Sequence, residues 1–267
     1  MTFARTPYQA CPLCTCPARE LIKTAPCDKH PSWSDKLPAT IEWLRCSGCG
    51  HEYTSGYFEG EALDELLSRT QESQTPGYQI EQGRLVAADI VERVINATGI
   101  EPELDGTWLD VGVGAGHLLT TAAEYGFNTV GLDLREDTAR TLNGLGYRVF
   151  VAPLEEFHPV GRLGVISMAD VLEHVPFPRQ TLTKAHSRLR DGGALFVSMP
   201  NTDSFVWRAL DAVDRNPYWG ELEHYHNFSR TRLYTLLSEH GFEPVSYGVS
   251  RRYRACMEVI ATKRGDA

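Results

Sequence analysis

The sequence lacks any apolar run that approaches the ~20 residues of a membrane span. Its first residues, MTFARTPYQA, contain no apolar stretch of the kind found in a signal peptide. It has no internal repeat or low-complexity tract, and a composition of 42% hydrophobic and 23% charged residues excludes fibrous and disordered proteins. These absences predict a globular protein of the cytoplasm with no membrane partner.

Basic residues are also scarce relative to acidic ones. The 267 residues include 26 Lys and Arg against 35 Asp and Glu, which gives a formal net charge of −9. Binding to a phosphate backbone relies on clustered positive charge, so this balance predicts no nucleic-acid partner. At roughly 100 to 200 residues per domain, the length fits one large domain or a large domain with a small one.

The cysteines are concentrated near one end of the chain. Six of the seven lie within the first 49 residues, where Cys11-Pro-Leu-Cys14 and Cys46-Ser-Gly-Cys49 are two Cys-x-x-Cys turns with 31 residues between them. In a reducing compartment such turns favour metal binding over disulfides, and two of them complete a tetrahedral Zn²⁺ site. The pattern predicts a zinc ribbon over residues 1–58, with a structural zinc ion held by Cys11, Cys14, Cys46 and Cys49.

Other interpretations of these cysteines stay open. The same residues fit a set of small buried side chains, or a redox pair at one of the two turns. Cys16, Cys27 or His30 could replace one of the four ligands. Residues 24–40, rich in proline and charge, predict an extended loop between the two turns.

From residue 106 onward, predicted strands and helices alternate. Strands are expected at 108–112, 128–133, 147–151, 163–168 and 194–199, with helices at 117–125, 136–145 and 178–189. This alternation predicts an α/β fold, a Rossmann-like, doubly wound and mostly parallel seven-stranded sheet. A helix at 231–240 and strands at 242–248 and 253–262 are expected to close the sheet edge. Helical segments at 61–69 and 78–97 predict a linker or lid over residues 59–105, before a catalytic domain at 106–267.

A glycine-rich loop follows the first strand of this domain, with Asp110 just before Gly112, Gly114 and Gly116. In a doubly wound sheet, ligands bind beyond the carboxyl ends of the strands, and glycines let the backbone approach them closely. Asp133, at the end of the next strand, can accept both hydroxyls of a ribose. Asp110 suits an ammonium group better than a pyrophosphate. A plain helix cap is the alternative role for Asp133.

Taken together, these segments resemble the class I S-adenosylmethionine-dependent methyltransferases. Residues 110–116 look like the first motif of that family, 131–133 like the second and 151–157 like the third. The segment Asp-Val-Leu-Glu-His-Val at 170–175 is similar to the fourth motif of the ubiquinone-biosynthesis O-methyltransferases, and 191–200 to the motif that forms the fifth strand. The resemblance covers about residues 106–267 and implies S-adenosylmethionine as the cofactor.

The resemblance also implies further donor-binding positions. They are Leu134, Ala169, Asp170 and Leu154, of which Leu154 is expected to flank the adenine. Pro153 stands where the family commonly has an acidic residue. Ahead of the glycine loop, Tyr78 is expected to cover the donor, with ordinary packing as its alternative role, and Arg84 is expected to pair with the donor's carboxylate.

Catalytic candidates come from two histidine clusters after predicted strands. Removing a proton from an O–H or N–H acceptor at neutral pH suits histidine. His174 follows the fourth strand, and His224, Tyr225 and His226 lie in the segment 201–228, which the family commonly uses for its acceptor pocket and which is rich in aromatic residues. Hydrogen bonding to buried backbone is the alternative role for these histidines, and a second metal site of Glu223, His224 and His226 is another.

A narrower resemblance spans the whole chain. Bacterial methyltransferases with a ribbon of Cys-Pro-x-Cys and Arg-Cys-x-x-Cys-Gly type before the catalytic domain often act in sugar, surface-polysaccharide or specialised-metabolite pathways. The similarity predicts methyl transfer to a small-molecule acceptor, with the ribbon as part of the acceptor pocket or as a homodimer contact. The alternatives are an RNA base methyltransferase that uses the ribbon for recognition, and a non-enzymatic donor-binding scaffold protein.

Overall fold

Residues 2–58 fold around short antiparallel strands. These strands are β1 (Thr6–Pro7), β2 (Arg19–Pro26), β3 (Thr40–Cys46), β4 (Glu52–Thr54) and β5 (Gly56–Tyr57). β1 pairs with β5, and β3 lies between β2 and β4. Ile41 and Trp43 of β3 are buried while their neighbour Glu42 is exposed, as expected of a strand with one covered face. The computed structural model describes residues 2–253 and 255–265, without the side chain of Asp105.

Helices connect this region to the central sheet. They are α1 (Glu61–Leu67), α2 (Ile80–Thr98) and the short α3 (Pro102–Asp105), with a 3₁₀ turn at Glu72–Gln74. One face of α2 carries Ala87, Ile90, Val91 and Val94, and these side chains pack with Trp108 in one buried cluster. This spacing of three and four residues is the apolar stripe of a helix that lies on a sheet.

The rest of the chain alternates strand and helix as the sequence predicts. The elements are β6 (Thr107–Val111), α4 (His117–Glu124), β7 (Asn128–Asp133), α5 (Glu136–Gly144), β8 (Val149–Val151), β9 (Leu163–Ala169), α6 (Pro178–Arg188), β10 (Leu189–Pro200), α7 (Phe205–Ala212), a 3₁₀ turn (Pro217–Gly220), β11 (His226–Asn227), α8 (Arg230–Glu239), β12 (Phe242–Val249) and β13 (Cys256–Lys263).

Seven of these strands form the central sheet, in the order β12-β13-β10-β9-β6-β7-β8. Strands β10, β9, β6, β7 and β8 are parallel, and β13 pairs antiparallel with β10 and β12. The predicted doubly wound, mostly parallel seven-stranded sheet is therefore confirmed, including the hairpin at its edge. The chain order reverses between β6 and β9, which is where ligands bind in sheets of this class.

The register of the strands brings the predicted site residues to one edge. Val111 lies opposite Leu132 and Met168, and Ser198 opposite Ala169. The loops after β6, β7, β9 and β10 therefore begin at the same level of the sheet.

One strand connects the two parts of the chain in a way that the sequence does not indicate. β11 pairs antiparallel with β4, with His226 opposite Tyr53, and so forms the edge of the four-stranded sheet β11-β4-β3-β2. The N-terminal sheet is completed by a strand from the segment 201–228.

The aromatic side chains of that segment correct a prediction. Trp207 and Trp219 are two aromatic residues of the segment 201–228, which the family resemblance assigns to an acceptor pocket. They instead belong to a buried cluster with Trp43, whose indole nitrogen donates a 2.9 Å hydrogen bond to the Trp219 carbonyl. Phe205 points outward and is 85% exposed. These indoles form core between the N-terminal sheet and the segment 201–228, because each offers a large apolar area to bury.

Within the described ranges, the structure has no helix whose length and apolar character would let it cross a membrane.

Candidate functional site

The predicted zinc ligands converge on one point. The four sulfur atoms of Cys11, Cys14, Cys46 and Cys49 all lie within 4.8 Å of one another. The Sγ atoms of Cys11 and Cys49 are 3.7 Å apart, and those of Cys14 and Cys46 are 3.4 Å apart. A tetrahedral zinc ion with bonds of about 2.3 Å separates its sulfur ligands by about 3.8 Å, so these residues fit the ion.

Cys16 and Cys27, the two cysteines that could replace a zinc ligand, have other partners. The thiol of Cys27 donates to the Pro38 carbonyl at 3.2 Å, and Cys16 Sγ lies 3.8 Å from the Ala18 carbonyl oxygen. The ring of His30 contacts Glu221 instead of the sulfur cluster. The four-cysteine set is thus the one that the fold assembles.

The glycine loop after β6 is held by the next strand. Gly114 N–H donates to Asp133 Oδ2 at 3.0 Å, and Arg135 N–H donates to Asp133 Oδ1 at 2.9 Å. Asp133 therefore holds both the glycine loop and Arg135, the residue before α5, while each oxygen retains a second lone pair for a ligand hydroxyl. Gly112 has a φ of +71°, and a Cβ there would lie 2.6 Å from Val171 Cγ2, so only glycine fits.

Asp110 lies beneath this loop and is 2% exposed. Its Oδ1 accepts a 2.6 Å hydrogen bond from the Ser167 hydroxyl, which accepts one from the Trp108 indole at 2.8 Å. Burial raises the pKa of the Asp110 carboxyl to about 7, against the opposing effect of the Ser167 hydrogen bond. A cationic group placed next to Asp110 would favour its ionised form.

The segment before α2 is tied to the glycine loop. Gly77 N–H donates to the Ala115 carbonyl at 3.2 Å, and His117 Nε2–H donates to the Tyr78 carbonyl at 2.6 Å. A Cβ at Gly83 would lie 2.3 Å from the His117 ring, so glycine lets α2 approach α4. The structure thus places Tyr78 beside the glycine loop.

Arg84 does not reach that loop. Its guanidinium pairs with Glu124 at the carboxyl end of α4, with N···O distances of 2.5–3.1 Å. The glycine loop is at the other end of this eight-residue helix, roughly 10 Å away at 1.5 Å per residue. The predicted pairing of Arg84 with the donor's carboxylate is corrected by this geometry.

At the end of β9, Ala169 and Asp170 lie beside β10. Asp170 accepts from the Ser198 hydroxyl at 2.7 Å and from the Arg252 guanidinium at 2.5 Å. Its φ of +55° is a strained value for aspartate, of the kind found at functional turns. Two leucines are also predicted to contact the methyl donor. Leu134, which follows the end of β7, is 44% exposed, whereas Leu154 is buried in the main core.

The polar side-chain atoms of His226 and Tyr225 are already engaged by neighbouring residues. His226 Nε2–H donates to the Val175 carbonyl, and its Nδ1 accepts from His51 Nε2, each at 3.0 Å. Burial lowers the pKa of His226 to about 3. The Tyr225 hydroxyl accepts from Phe58 N–H in the ribbon. The prediction of His226 as a catalytic base is therefore corrected, because both of its ring nitrogens are engaged.

His174 and His224 come together with Glu173. Their rings meet edge to face with centroids 4.6 Å apart. His174 Nδ1–H donates to the Glu223 carbonyl at 3.0 Å, which leaves its Nε2 with a lone pair. Burial, aided by His174, lowers the pKa of His224 well below its ordinary value, so this ring is neutral.

The loop between the zinc turns reaches the same place. The Ser32 hydroxyl donates to Glu223 Oε1 at 2.6 Å, and the His30 ring lies 3.0 Å from Glu221. Arg135, just after β7, is 3.9 Å from Glu223. The ribbon therefore supplies side chains to the region between the strand-end loops and the segment 201–228.

Several of these residues were not predicted as site residues. Arg252, Ser32 and Arg135 lie far apart in sequence and carry no motif of their own. Ser167 and Ser198 occur in predicted strands, and each donates a hydrogen bond to an acid, Asp110 or Asp170. A single hydroxyl residue within an apolar strand is the one sequence signal that indicates them.

Comparisons with known proteins agree with this architecture. A family model described as a methyltransferase domain matches residues 79–247. The chain is 32% identical over 114 residues to the mitochondrial ubiquinone biosynthesis O-methyltransferase of Candida albicans, covering 38% of this chain and 34% of that protein. It is also 32% identical over 114 residues to the Bordetella avium ubiquinone biosynthesis O-methyltransferase, covering 39% and 47%. The chain thus spans between a third and a half of the length of these relatives.

Two solved structures share the fold. One is the Burkholderia thailandensis 1,6-didemethyltoxoflavin-N1-methyltransferase with S-adenosylhomocysteine, with a TM-score of 0.57, 18% identity, and coverage of 82% of this chain and 98% of that one. The other is the magnesium protoporphyrin IX methyltransferase of Synechocystis, with a TM-score of 0.54, 18% identity, and coverage of 69% and 85%. With a family match over more than half of its residues, the chain belongs to the class I S-adenosylmethionine-dependent methyltransferases.

Proposed function

We propose that the chain transfers a methyl group from S-adenosylmethionine to a small-molecule acceptor, a sugar or a specialised metabolite. The observation that carries this proposal is the meeting of three segments at the switch point of the sheet: the strand-end loops, the histidines of 201–228 and the ribbon loop with Ser32. The matched relatives are named ubiquinone biosynthesis O-methyltransferases, and the structural neighbours are named for toxoflavin and porphyrin methylation. All of these names refer to small acceptors.

The donor-side residues fit S-adenosylmethionine. Space above Gly114 is open, with only the Gly112 carbonyl oxygen within 4 Å of the position of a Cβ, so a ligand can lie against the backbone there. Asp133 has lone pairs for the ribose hydroxyls, and buried Asp110 offers a carboxylate to the ammonium group. When bound, the donor supplies an already activated methyl group. Tyr78, held against the glycine loop, covers this side.

On the acceptor side, the protein positions the substrate and assists loss of its proton. In-line methyl transfer depends mostly on holding the acceptor close to the donor in the right orientation. His174 presents an Nε2 lone pair beside neutral His224, and together they provide the histidine assistance. The ribbon residues His30 and Ser32, which orient Glu221 and Glu223, enclose the acceptor.

The zinc ion of Cys11, Cys14, Cys46 and Cys49 has a structural role in this proposal. A closed four-thiolate site leaves no position for a substrate, so its ion stabilises the ribbon. The ribbon at 1–58 and the catalytic domain at 106–267 act as one body, since the main buried cluster includes Leu13 and Tyr53 of the ribbon together with Leu109 of the central sheet. The helical lid at 59–105 joins them through Val91, which is buried in one cluster with Trp108.

The donor claim is tested by calorimetry with S-adenosylmethionine. Asp133→Ala should weaken binding strongly, because it removes the ribose acceptor and releases the loop at Gly114. Asp137→Ala changes an exposed acid on the following helix α5; it is the matched control and should bind as the wild type does. Equal binding by both variants would remove Asp133 from the donor site.

The acceptor claim is tested with labelled donor and a panel of metabolite extracts. Once an acceptor is found, His174→Ala and His224→Ala should lower turnover with little change in donor affinity. His226→Gln should affect stability more than turnover, because its ring binds His51 and the Val175 carbonyl. Full turnover by both His174→Ala and His224→Ala would exclude histidine assistance.

A further inference from the structure

One group of side chains beside the acceptor region holds buried polar atoms that no described residue satisfies. Glu173, His174 and His224 offer three ligand atoms that lie within 4.8 Å of one another. Glu173 follows β9 at the switch point, and His224 comes from the segment that pairs with the ribbon. Glu173 is 1% exposed and His224 8%, so these two members of the group are buried.

Two residues of this group, Glu173 and His224, hold buried polar atoms that lack a partner in the described part of the chain. Neither carboxylate oxygen of Glu173 has a hydrogen-bond donor among the residues that the structure describes, and the same holds for Nδ1 of His224. Burying such groups without a partner destabilises a protein, so three are rarely left together. A bound group would satisfy them.

The neighbours of the group are already committed. Glu223 Oε1 accepts from Ser32, and both ring nitrogens of His226 are bonded. The alternative metal site of Glu223, His224 and His226 is therefore not assembled. His174, by contrast, donates through Nδ1 to a carbonyl, which leaves Nε2 as a lone-pair ligand.

We propose that Glu173, His174 and His224 bind one divalent first-row transition-metal ion, separate from the zinc ion of the ribbon. Two imidazoles and one carboxylate are a ligand set for Fe²⁺, Co²⁺, Ni²⁺ or Zn²⁺. Ligands at about 2.1 Å from an ion lie about 3.0–3.4 Å apart, so small side-chain rotations complete the site. The buried acid of the sequence motif Asp-Val-Leu-Glu-His becomes a metal ligand in this assignment.

Three protein ligands leave positions open on the ion. An oxygen of the acceptor can occupy one of them, and the histidine assistance then consists of holding the ion that binds that oxygen. This last clause rests on the proposed function, whereas the binding of the ion itself does not. Metal binding is therefore measured without donor or acceptor.

The test uses full-length protein with its ribbon zinc retained. Metal analysis after dialysis against a weak chelator should find one zinc ion per chain, and titration with Co²⁺ should then add a second equivalent whose spectrum lacks thiolate-to-metal charge transfer. Glu173→Gln, which keeps the shape and removes the charge, and His174→Ala should each weaken the second site by at least about 100-fold. Circular dichroism and the ribbon zinc content test whether each variant folds. If Glu173→Gln does not fold, the affinity of His174→Ala for the second Co²⁺ ion tests the proposal.

His240→Gln is the matched control, because His240 also has a buried ring nitrogen without a partner but lies outside the group. It should bind the second Co²⁺ as the wild type does. The proposal is overturned if wild-type protein binds no second equivalent, or if the two site variants bind it unchanged. Calorimetry with S-adenosylmethionine on the same samples reports the donor site independently, so failure of either claim is seen separately.

Discussion

Binding of the methyl donor should release a proton near neutral pH. The free protein holds the Asp110 carboxyl under the glycine loop with a pKa raised to about 7 by burial. The donor's α-ammonium group, with an ordinary pKa of about 7.7–8.0, stays largely protonated up to pH 7. Placing that cation beside Asp110 favours the carboxylate, so the bound state has a lower pKa and the proton leaves on binding.

The size of the effect follows from the protonated fraction of Asp110 in the free protein. About 0.9 proton should be released at pH 6 and about 0.5 at pH 7, and the donor should bind roughly fivefold more tightly at pH 7 than at pH 6. Donor binding must weaken as the pH falls, because protonation of Asp110 removes the negative charge that attracts the ammonium group. Isothermal titration calorimetry in two buffers of different ionisation enthalpy measures the released proton directly.

Variants separate Asp110 from other titrating groups. Asp110→Asn should abolish the proton release and flatten the pH dependence of the dissociation constant, whereas Asp137→Asn should leave both unchanged. Ser167→Ala removes a hydrogen bond that lowers the pKa of Asp110, so it should move the midpoint above pH 7. Proton uptake at pH 6, or a release that survives Asp110→Asn, would refute the placement of the ammonium group.

Three further changes test the packing around the site. Gly83→Ala should lower the melting temperature and destabilise the protein by about 1–3 kcal/mol, because the new methyl group meets the His117 ring, while Gly144→Ala, with open space around it, should not destabilise. Trp43→Phe should lower the urea midpoint by losing the hydrogen bond to the Trp219 carbonyl, on the order of 1–2 kcal/mol, and an unchanged midpoint would contradict the role of Trp43 as core between ribbon and catalytic domain. Cys14→Ser, or treatment with a strong chelator, should reduce zinc content from one ion per chain to none and shift tryptophan fluorescence to the red; freshly purified protein without zinc would exclude the ribbon site.

The central sheet could be predicted because its signals are local. A strand is indicated by a buried run such as Trp108 to Val111 and by the glycines at its end. A helix is indicated by apolar residues spaced three and four apart, so each element can be recognised within a few residues. The two Cys-x-x-Cys turns are equally local, and their distant pairing follows from the tetrahedral geometry of one ion.

The contacts across the acceptor region could not be predicted in the same way. Whether a histidine accepts a proton depends on what its two nitrogens touch, and His226 meets His51, which lies far away in sequence. Trp219 gives the same aromatic signal whether it lines a pocket or packs on Trp43, and tertiary structure alone decides between them. Arg252 reaches Asp170 from a connection between two strands that carries no motif.

The pairing of β11 with β4 also bears on the order in which the protein folds during synthesis. The sulfur ligands and strands β2 to β4 leave the ribosome early, but the edge of β4 has no partner until residue 227 has been made. An unpaired edge is prone to join strands of other chains. Early zinc binding would hold the nascent ribbon in shape during that interval, and chains made under zinc limitation should aggregate as they are translated rather than after release.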